Sequence, residues 1–458
     1  MSTRHGFTRQ GRIDSLTLAG LLLLAAAIRI WLFFGLTGSD DSIYGKRGLE
    51  IVHGLWLESD YVGDLRYGMN LPIAAAVRLF GMNEAALAAW GFLCSLAEIA
   101  VVYVFAERIW GKRVAILASL ILATLPIHVS SASNMWADAP FSVFLTSAVV
   151  LLYFGARSAR PGLLIAAGLA CGLAGWIKPE PTVVFGLAFI IMALSYVPDR
   201  RRVAWLFVGM LIAVVPNLAL FSWAFGDPLY YLPAGARNLS ANFIQNASPW
   251  GEHAGNFYFR LLFLDGRSFW LAPIVALAGI LAASLKGKAG ELHGGRFTVL
   301  WAVLLLGFFS FFIYSLSPVR LIPKQQNYAV IFAAPVALLA AIAITRLGKL
   351  ATLVTMLVVC SGGLALTVLD GYGRHLHGES DMAAIRFARA HESAMVFSIR
   401  QTLDLNRVLV LINREPAGSN LQPMSQLLDS LQAGALPPDK AVFLAYHPDW
   451  PEANGKFA

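Results

Sequence analysis

Apolar runs long enough to cross a bilayer alternate with short polar breaks over most of the chain. A span needs about twenty mainly apolar residues. Eleven runs qualify, near 15–36, 85–107, 113–131, 137–156, 162–177, 179–197, 203–225, 269–285, 297–316, 328–346 and 350–369. The fifth and sixth form one apolar stretch interrupted by Lys178-Pro179-Glu180-Pro181. Unbroken, that stretch is too long for a single span, so a hairpin with its turn at the surface is expected. Three polar segments stand apart. The first, 37–84, contains an amphipathic stretch, Leu71 to Phe80, expected to lie along the membrane surface. The second, 226–268, is rich in aromatic residues, and the third is the tail, 370–458. The tail has a helix-like run near 380–395 and two strand-like runs, Val408 to Ile412 and Ala441 to Tyr446, which suits one small α/β domain. The predicted class is therefore an all-α polytopic membrane protein of about eleven transmembrane helices, residues 1–369, followed by a small α/β extracytoplasmic domain, residues 370–458.

Composition agrees. Of 458 residues, 57% are hydrophobic and 14% charged, against about 25% charged in soluble domains. The net charge of +8 is distributed as a topology signal rather than a nucleic-acid footprint. With a cytoplasmic N-terminus, the inner segments hold Arg4, Arg9 and Arg12; Arg108, Lys112 and Arg113; Arg157 and Arg160; Arg200, Arg201 and Arg202; Lys286, Lys288 and Arg296; Arg346 and Lys349. That is the positive-inside pattern, and an odd number of spans then sends the C-terminus outside. The N-terminal arginines and the run ending Ala25-Ala26-Ala27 imitate a signal peptide, but the run continues to Gly35, so an uncleaved first helix is expected. Cys94, Cys171 and Cys360 all fall in apolar segments and read as packing residues. The sequence has no internal repeat, no glycine-rich phosphate loop and no zinc-ligand spacing.

Against this background the ionisable residues in and beside spans are the candidates for chemistry. GSDDSIYGKR places Asp40 and Asp41 together just after the first span. Arg29 lies inside that span, where it either snorkels to the outer interface or faces inward and orients Asp40 or Asp41. Asp138, in SASNMWADAP, reads as a helix N-cap with Pro140 in the first turn, and also as a third carboxylate on the same face of the membrane. Arg66 and Tyr67 sit before the surface helix, Lys178 in the KPEP turn, and Arg320 and Lys324 in SPVRLIPKQQNY. Each alone reads as an interface anchor. Together they put cations and acids on one side, which suits a site that attracts an anionic phosphate. Glu98, within the second span, has no role assigned by the sequence.

Asp40-Asp41-Ser42-Ile43-Tyr44 resembles the acidic pair and following Tyr in the first outer loop of the GT-C glycosyltransferases, most closely the protein mannosyltransferase and lipid A aminoarabinose transferase superfamily. The resemblance extends to Arg29 near the end of the first helix, Arg66 before the surface helix, Asp138-Ala139-Pro140 opening a later helix, GLACGLAGWIKP ending in Lys178-Pro179, and the basic-aromatic loop from Lys324 to Tyr328. It covers residues 15–345 and rests on order and sidedness, each motif being short. The chain departs from it in Asp41, where many members have Glu; in Tyr67-Gly68, where two prolines usually follow the basic residue; and in Gln325-Gln326-Asn327, where Arg usually precedes Tyr.

The resemblance implies transfer of a sugar from a polyprenyl-phosphate donor to a lipid or glycan acceptor, less readily a protein, on the outer face of a bacterial inner membrane, with inversion. Lipopolysaccharide is among the acceptors it brings in. Such chemistry needs a carboxylate within hydrogen-bond reach of the attacking hydroxyl and cations preorganised around the leaving phosphate. No general acid is needed, unlike glycoside hydrolysis. Asp40 or Asp41 is the expected base, with Asp138 orienting; Arg29, Tyr44, Arg66, Tyr67, Lys178, Lys324 and Tyr328 are expected to bind substrate or phosphate. No cofactor is required, though a divalent metal among Asp40, Asp41 and Asp138 fits the pattern. The competing classes are a lipid-linked sugar flippase, for which internal repeats and midplane polar residues would be expected, and an inactive scaffold of the same fold.

Overall fold

The computed structural model describes residues 14–33, 35–36, 40–133, 135–158, 160–245, 255–285, 287–317, 319–398, 400–413, 420–424, 426–427 and 442–444. Arg4, Arg9, Arg12, Lys286 and both ends of the second strand-like run, Ala441 and Ala445-Tyr446, lie outside them. The helices are α1 (Ser15–Trp31), α2 (Asp40–Val52), α3 (Tyr67–Phe80), α4 (Glu84–Trp110), α5 (Lys112–Thr124), α6 (Pro126–Ser133), α7 (Asp138–Ser158), α8 (Pro161–Gly175), α9 (Pro179–Tyr196), α10 (Ala204–Phe225), α11 (Tyr231–Gln245), α12 (Phe257–Phe263), α13 (Ala272–Leu285), α14 (Ala289–Phe311), α15 (Ala333–Ile344), α16 (Lys349–Ala390) and α17 (Arg400–Asn413). Among the described residues seven helices are long and apolar enough to cross a membrane, or eight if the bent pair α5–α6 is one span; α1, α8 and α13 are shorter apolar helices. The protein is an integral membrane protein. Large apolar side chains stand exposed along α10 (Trp205, Leu211, Val215, Trp223) and α16 (Leu350, Leu353, Leu357), as suits helices that face lipid.

Several elements differ from the sequence reading. The third run is not a straight span: Pro126 cannot continue the hydrogen-bond ladder, and α5 and α6 meet at 58°. The ninth run leaves the helix at Phe311 and ends in β1 (Ile313–Leu316), which pairs antiparallel with β2 (Val319–Leu321). The run Val408 to Ile412, expected as a strand, lies in α17. Its apolar residues continue a helical spacing begun at Leu405, so that Leu405, Val408 and Leu409 are buried while Arg407 is exposed. The tail's sheet is instead β3 (Met395–Ser398), parallel to β4 (Leu421–Pro423) on one side and to β5 (Val442–Leu444) on the other. β5 falls in the second run expected as a strand.

The chain forms two compact units. One contains residues 1–31, 91–132 and 137–367; the other contains 32–90, 133–136 and 368–458. In the first, α8 and α10 pack closely because glycines face the partner backbone. A Cβ on Gly168 would overlap the carbonyl of Leu206, one on Gly209 the carbonyl of Ile165, and one on Gly172 would lie 2.6 Å from the Ala213 Cβ. Small residues let membrane helices approach in this way. Gly168→Leu is therefore expected to overpack the crossing and cost about 1–3 kcal/mol or more. Thermal melting of the purified variant at the wild-type temperature would contradict this packing.

In the second unit α2 is set against α3 and α17. A Cβ on Gly48 would come within 2.7 Å of Ile73, and one on Gly45 within 3.1 Å of Leu87 and 3.7 Å of Val408. The helix that opens with Asp40 and Asp41 is thus seated by α17 of the tail as well as by its sequence neighbours.

Candidate active site

The second unit carries the acidic pair. Asp40 and Asp41 form the first turn of α2, where the exposed amide dipoles favour negative charge. The two differ in environment. Asp41 is buried, 1% exposed, and its Oδ1 accepts from the Ser42 amide at 2.8 Å. The Asp40 side chain is 32% exposed. Its Oδ1 accepts from the Tyr61 hydroxyl at 3.1 Å, its Oδ2 from the Tyr44 hydroxyl at 3.4 Å, and Arg66 stands 3.8 Å from Oδ2. Arg66 also donates to the Tyr44 hydroxyl at 2.7 Å. Tyr44 is fully buried, and that burial raises its phenol well above the ordinary value, so it works as a neutral hydrogen-bonding group that links Arg66 to Asp40. Tyr67 lies 3.5 Å from a nitrogen of Arg47.

Arg47 and Asp64, which the sequence did not single out, fix the surrounding loop. Arg47 is 1% exposed and donates to the Asp64 and Leu57 carbonyls and to Glu50. Asn70 donates to the Gly63 and Asp64 carbonyls, and Ser59 to the Asp64 carboxylate at 2.6 Å. Buried side-chain donors on backbone carbonyls are what hold a loop without regular secondary structure in one conformation. The acidic motif itself announces the site; the spacing of Arg47, Asp64 and Asn70 gives no comparable signal.

The first unit carries the other half of the candidates. Asp138 opens α7, but its carboxylate does not cap the helix. Oδ1 pairs with Lys178 at 2.5 Å and Oδ2 accepts from Asn327 at 3.1 Å. Both charged side chains are 2% exposed. The Lys178 ammonium also lies 4.5 Å from the centre of the Tyr328 ring, within cation–π range. Lys178 is placed by the break between α8 and α9, where Pro179 starts a new helix. Lys324 is buried in the segment before Asn327, and desolvation pulls its ammonium down to about 8. Residues of the aromatic segment 226–268 reach the same elements: Tyr231 donates to Glu180 at 2.8 Å, and Tyr258 to the Gln325 carbonyl at 3.4 Å.

Arg29 is also in this unit, and of the two expectations for it the inward one holds and snorkelling does not, while its hydrogen bonds go to groups other than the acidic pair. It is 1% exposed. Its donors go to Ser95, to the carbonyls of Ala25 and Ala123, and to His128. An arginine buried in the last turn of an apolar helix must be satisfied within the protein, and here its own helix and polar groups of its neighbours do so. Among the described residues no group of three or more His, Cys, Asp or Glu side chains is placed to hold a metal ion.

Comparison with known proteins gives matches of two kinds. Residues 68–223, which include Asp138 and Lys178, match the family described as dolichyl-phosphate-mannose-protein mannosyltransferase. A protein of Aquifex aeolicus without an assigned role is 29% identical over 163 residues, 32% of each chain. An undecaprenyl phosphate-alpha-4-amino-4-deoxy-L-arabinose arabinosyl transferase of Erwinia tasmaniensis is 26% identical over 326 residues, 66% of this chain and 55% of its own. The matched regions thus span about a third and just over half of these relatives. Among solved structures, ArnT from Cupriavidus metallidurans bound to undecaprenyl phosphate superposes with a TM-score of 0.62 at 17% identity, covering 94% of this chain and 89% of its own. An Archaeoglobus fulgidus oligosaccharyltransferase reaches 0.54 at 14% identity, over 90% of this chain and 64% of its own. At these identities the likeness is one of fold.

Proposed function

We propose that this chain, whose fold is that of the GT-C glycosyltransferases, moves a sugar from a polyprenyl-phosphate donor to an acceptor hydroxyl or phosphate, with Asp40 as general base. The observation that carries the reading is the contrast within the acidic pair. Asp40 is accessible and is framed by two tyrosine hydroxyls and Arg66, whereas Asp41 is buried. A base must reach the proton it abstracts, and only Asp40 is open enough to do so. Asp41, fixed to the backbone at the helix start, sets the direction of that turn. Attack by the deprotonating acceptor on the anomeric carbon breaks the bond to the phosphate oxygen and inverts the centre. The electron pair leaves on the phosphate, so no acid is needed.

The leaving phosphate needs positive charge arranged in advance. Lys178 and Lys324 are the cations assigned to it, with Asp138, Asn327 and Tyr328 holding Lys178 in one orientation. These side chains supply the charge the reaction requires, so a chelator is expected to leave turnover unchanged. A loss restored by one added divalent cation would assign the carboxylates to a metal instead. The reading places the protein in a bacterial inner membrane with its acidic motif and tail outside, consistent with the positive-inside distribution, and a lipid or glycan as acceptor fits it better than a protein. Deletion in the source organism followed by mass spectrometry of envelope glycolipids and glycans should show one sugar lost. Full restoration of that sugar by an Asp40→Asn copy would overturn the reading.

Lys324 adds a pH dependence. Its ammonium is charged below about 8 and neutral above, so its share of phosphate affinity is present at low pH and lost as pH rises through about 8. Undecaprenyl phosphate binding is expected to weaken roughly tenfold across that range. With Lys324→Arg the profile should stay flat, because a guanidinium keeps its charge. Identical profiles for the two proteins would remove Lys324 from the phosphate site.

A further inference from the structure

Within the first unit a set of polar side chains lies inside the membrane-spanning helices and has no part in the chemistry above. Glu98 on α4 is fully buried. Its Oε1 accepts from the Ser142 and Thr146 hydroxyls, both at 2.8 Å, and its Oε2 lies 3.3 Å from His128 Nε2. On the other side of the same ring, Arg29 Nη2 lies 2.7 Å from His128 Nδ1. Arginine can only donate, so Nδ1 carries no proton. The imidazole is therefore neutral, with its one hydrogen on Nε2 pointing at Glu98. The ring thus joins Arg29 on one side to the Glu98 carboxyl on the other, and each polar group of the set finds its partner within the protein.

The partners of Glu98 on α7 are not scattered. Asp138, Ser142 and Thr146 are spaced by four residues and so share one face of that helix. The Ser142 hydroxyl also lies 3.4 Å from the Val330 carbonyl, one turn beyond Asn327 and Tyr328, which contact Asp138 and Lys178. Two hydroxyls on one buried carboxyl oxygen fix rotation of α7 about its axis. Slippage by one residue would turn the face by about 100° and take Asp138 away from Lys178.

We propose that Glu98 is a positioning residue for the Asp138–Lys178 pair, acting through Ser142 and Thr146, with the His128 ring, itself held by Arg29, fixing its other oxygen. The positional part stands on the geometry alone; its consequence for lipid-phosphate binding rests on the glycosyltransferase reading. Glu98→Gln would disturb a buried carboxyl shared by His128, Ser142 and Thr146 and threatens folding, so the hydroxyls are the point of test. The full-length protein in lipid nanodiscs, labelled with ¹³C at the lysine ε-carbons, reports the pair through the Lys178 resonance, assigned with Lys178→Arg. Asp138→Asn marks its position when the pair is broken. In Ser142→Ala/Thr146→Val the resonance should move well toward that position, and undecaprenyl phosphate affinity should fall about fivefold. Thr146→Ser, which keeps the hydroxyl, should leave both at wild type; a merely structural methyl would not be rescued this way. An unmoved Lys178 resonance in the double variant would overturn the positioning role. A moved resonance with unaltered lipid-phosphate affinity would keep that role and remove the phosphate reading.

Discussion

Asp40→Asn is expected to lower turnover of a lipid-linked sugar about a thousandfold, within the range of roughly 10² to 10⁴ that general-base catalysis supplies. The amide is the same size, its oxygen can still accept from Tyr61 and its NH2 can donate to the Tyr44 hydroxyl oxygen, so the site should keep its shape while losing its proton acceptor. Polyprenyl-phosphate binding should change by less than threefold. Asp41→Asn should behave differently. Its carboxylate is buried against the start of its own helix, and an amide oxygen can accept the Ser42 bond, so the loss should stay near tenfold. Initial rates of the two variants in purified protein decide the matter. Near wild-type turnover in Asp40→Asn would eliminate it as base, and a larger loss in Asp41→Asn would exchange the two roles.

The second large effect concerns the Asp138–Lys178 pair. Both side chains are buried and joined at 2.5 Å. Removing one member of such a pair leaves the other charge without compensation, at about 3–5 kcal/mol. Lys178→Met should therefore destabilise the protein by several kcal/mol and abolish transfer. Asp138→Asn/Lys178→Met removes both charges and should recover most of the stability, because neutral residues can replace a buried pair at little cost. Activity should remain lost in the double variant, since the cation for the phosphate is gone. Unfolding in a denaturing detergent series separates these outcomes. Recovery of activity together with stability would make the pair structural only.

Local chemistry was the most legible part of the sequence. Two adjacent acids after an apolar run, Asp138 before Pro140 and Lys178 before Pro179 stand out because charge beside a span is costly, and the structure gives each a defined environment. What Asp138 does there was not legible. A cap and an ion pair use the same residue in the same place, and Lys178, its partner, lies 40 positions away. Glu98 and Arg29 were visible as anomalies but could not be joined, because the ring between them, His128, follows the break at Leu125-Pro126 and no periodic pattern points to it. The misread segment in the tail has a simpler cause. Five consecutive apolar residues, Val408 to Ile412, satisfy a strand and a buried helix face equally, and only Leu405 one turn earlier tips the balance.

The seating of α17 against α2 has a consequence in time. Val408, which closes on Gly45, follows it in the chain by several hundred residues. A contact between residues so far apart in sequence forms late in folding. α2 therefore gains this support only once α17 has folded onto it. A chain in which α17 has yet to fold carries Asp40 on a helix that lacks this support.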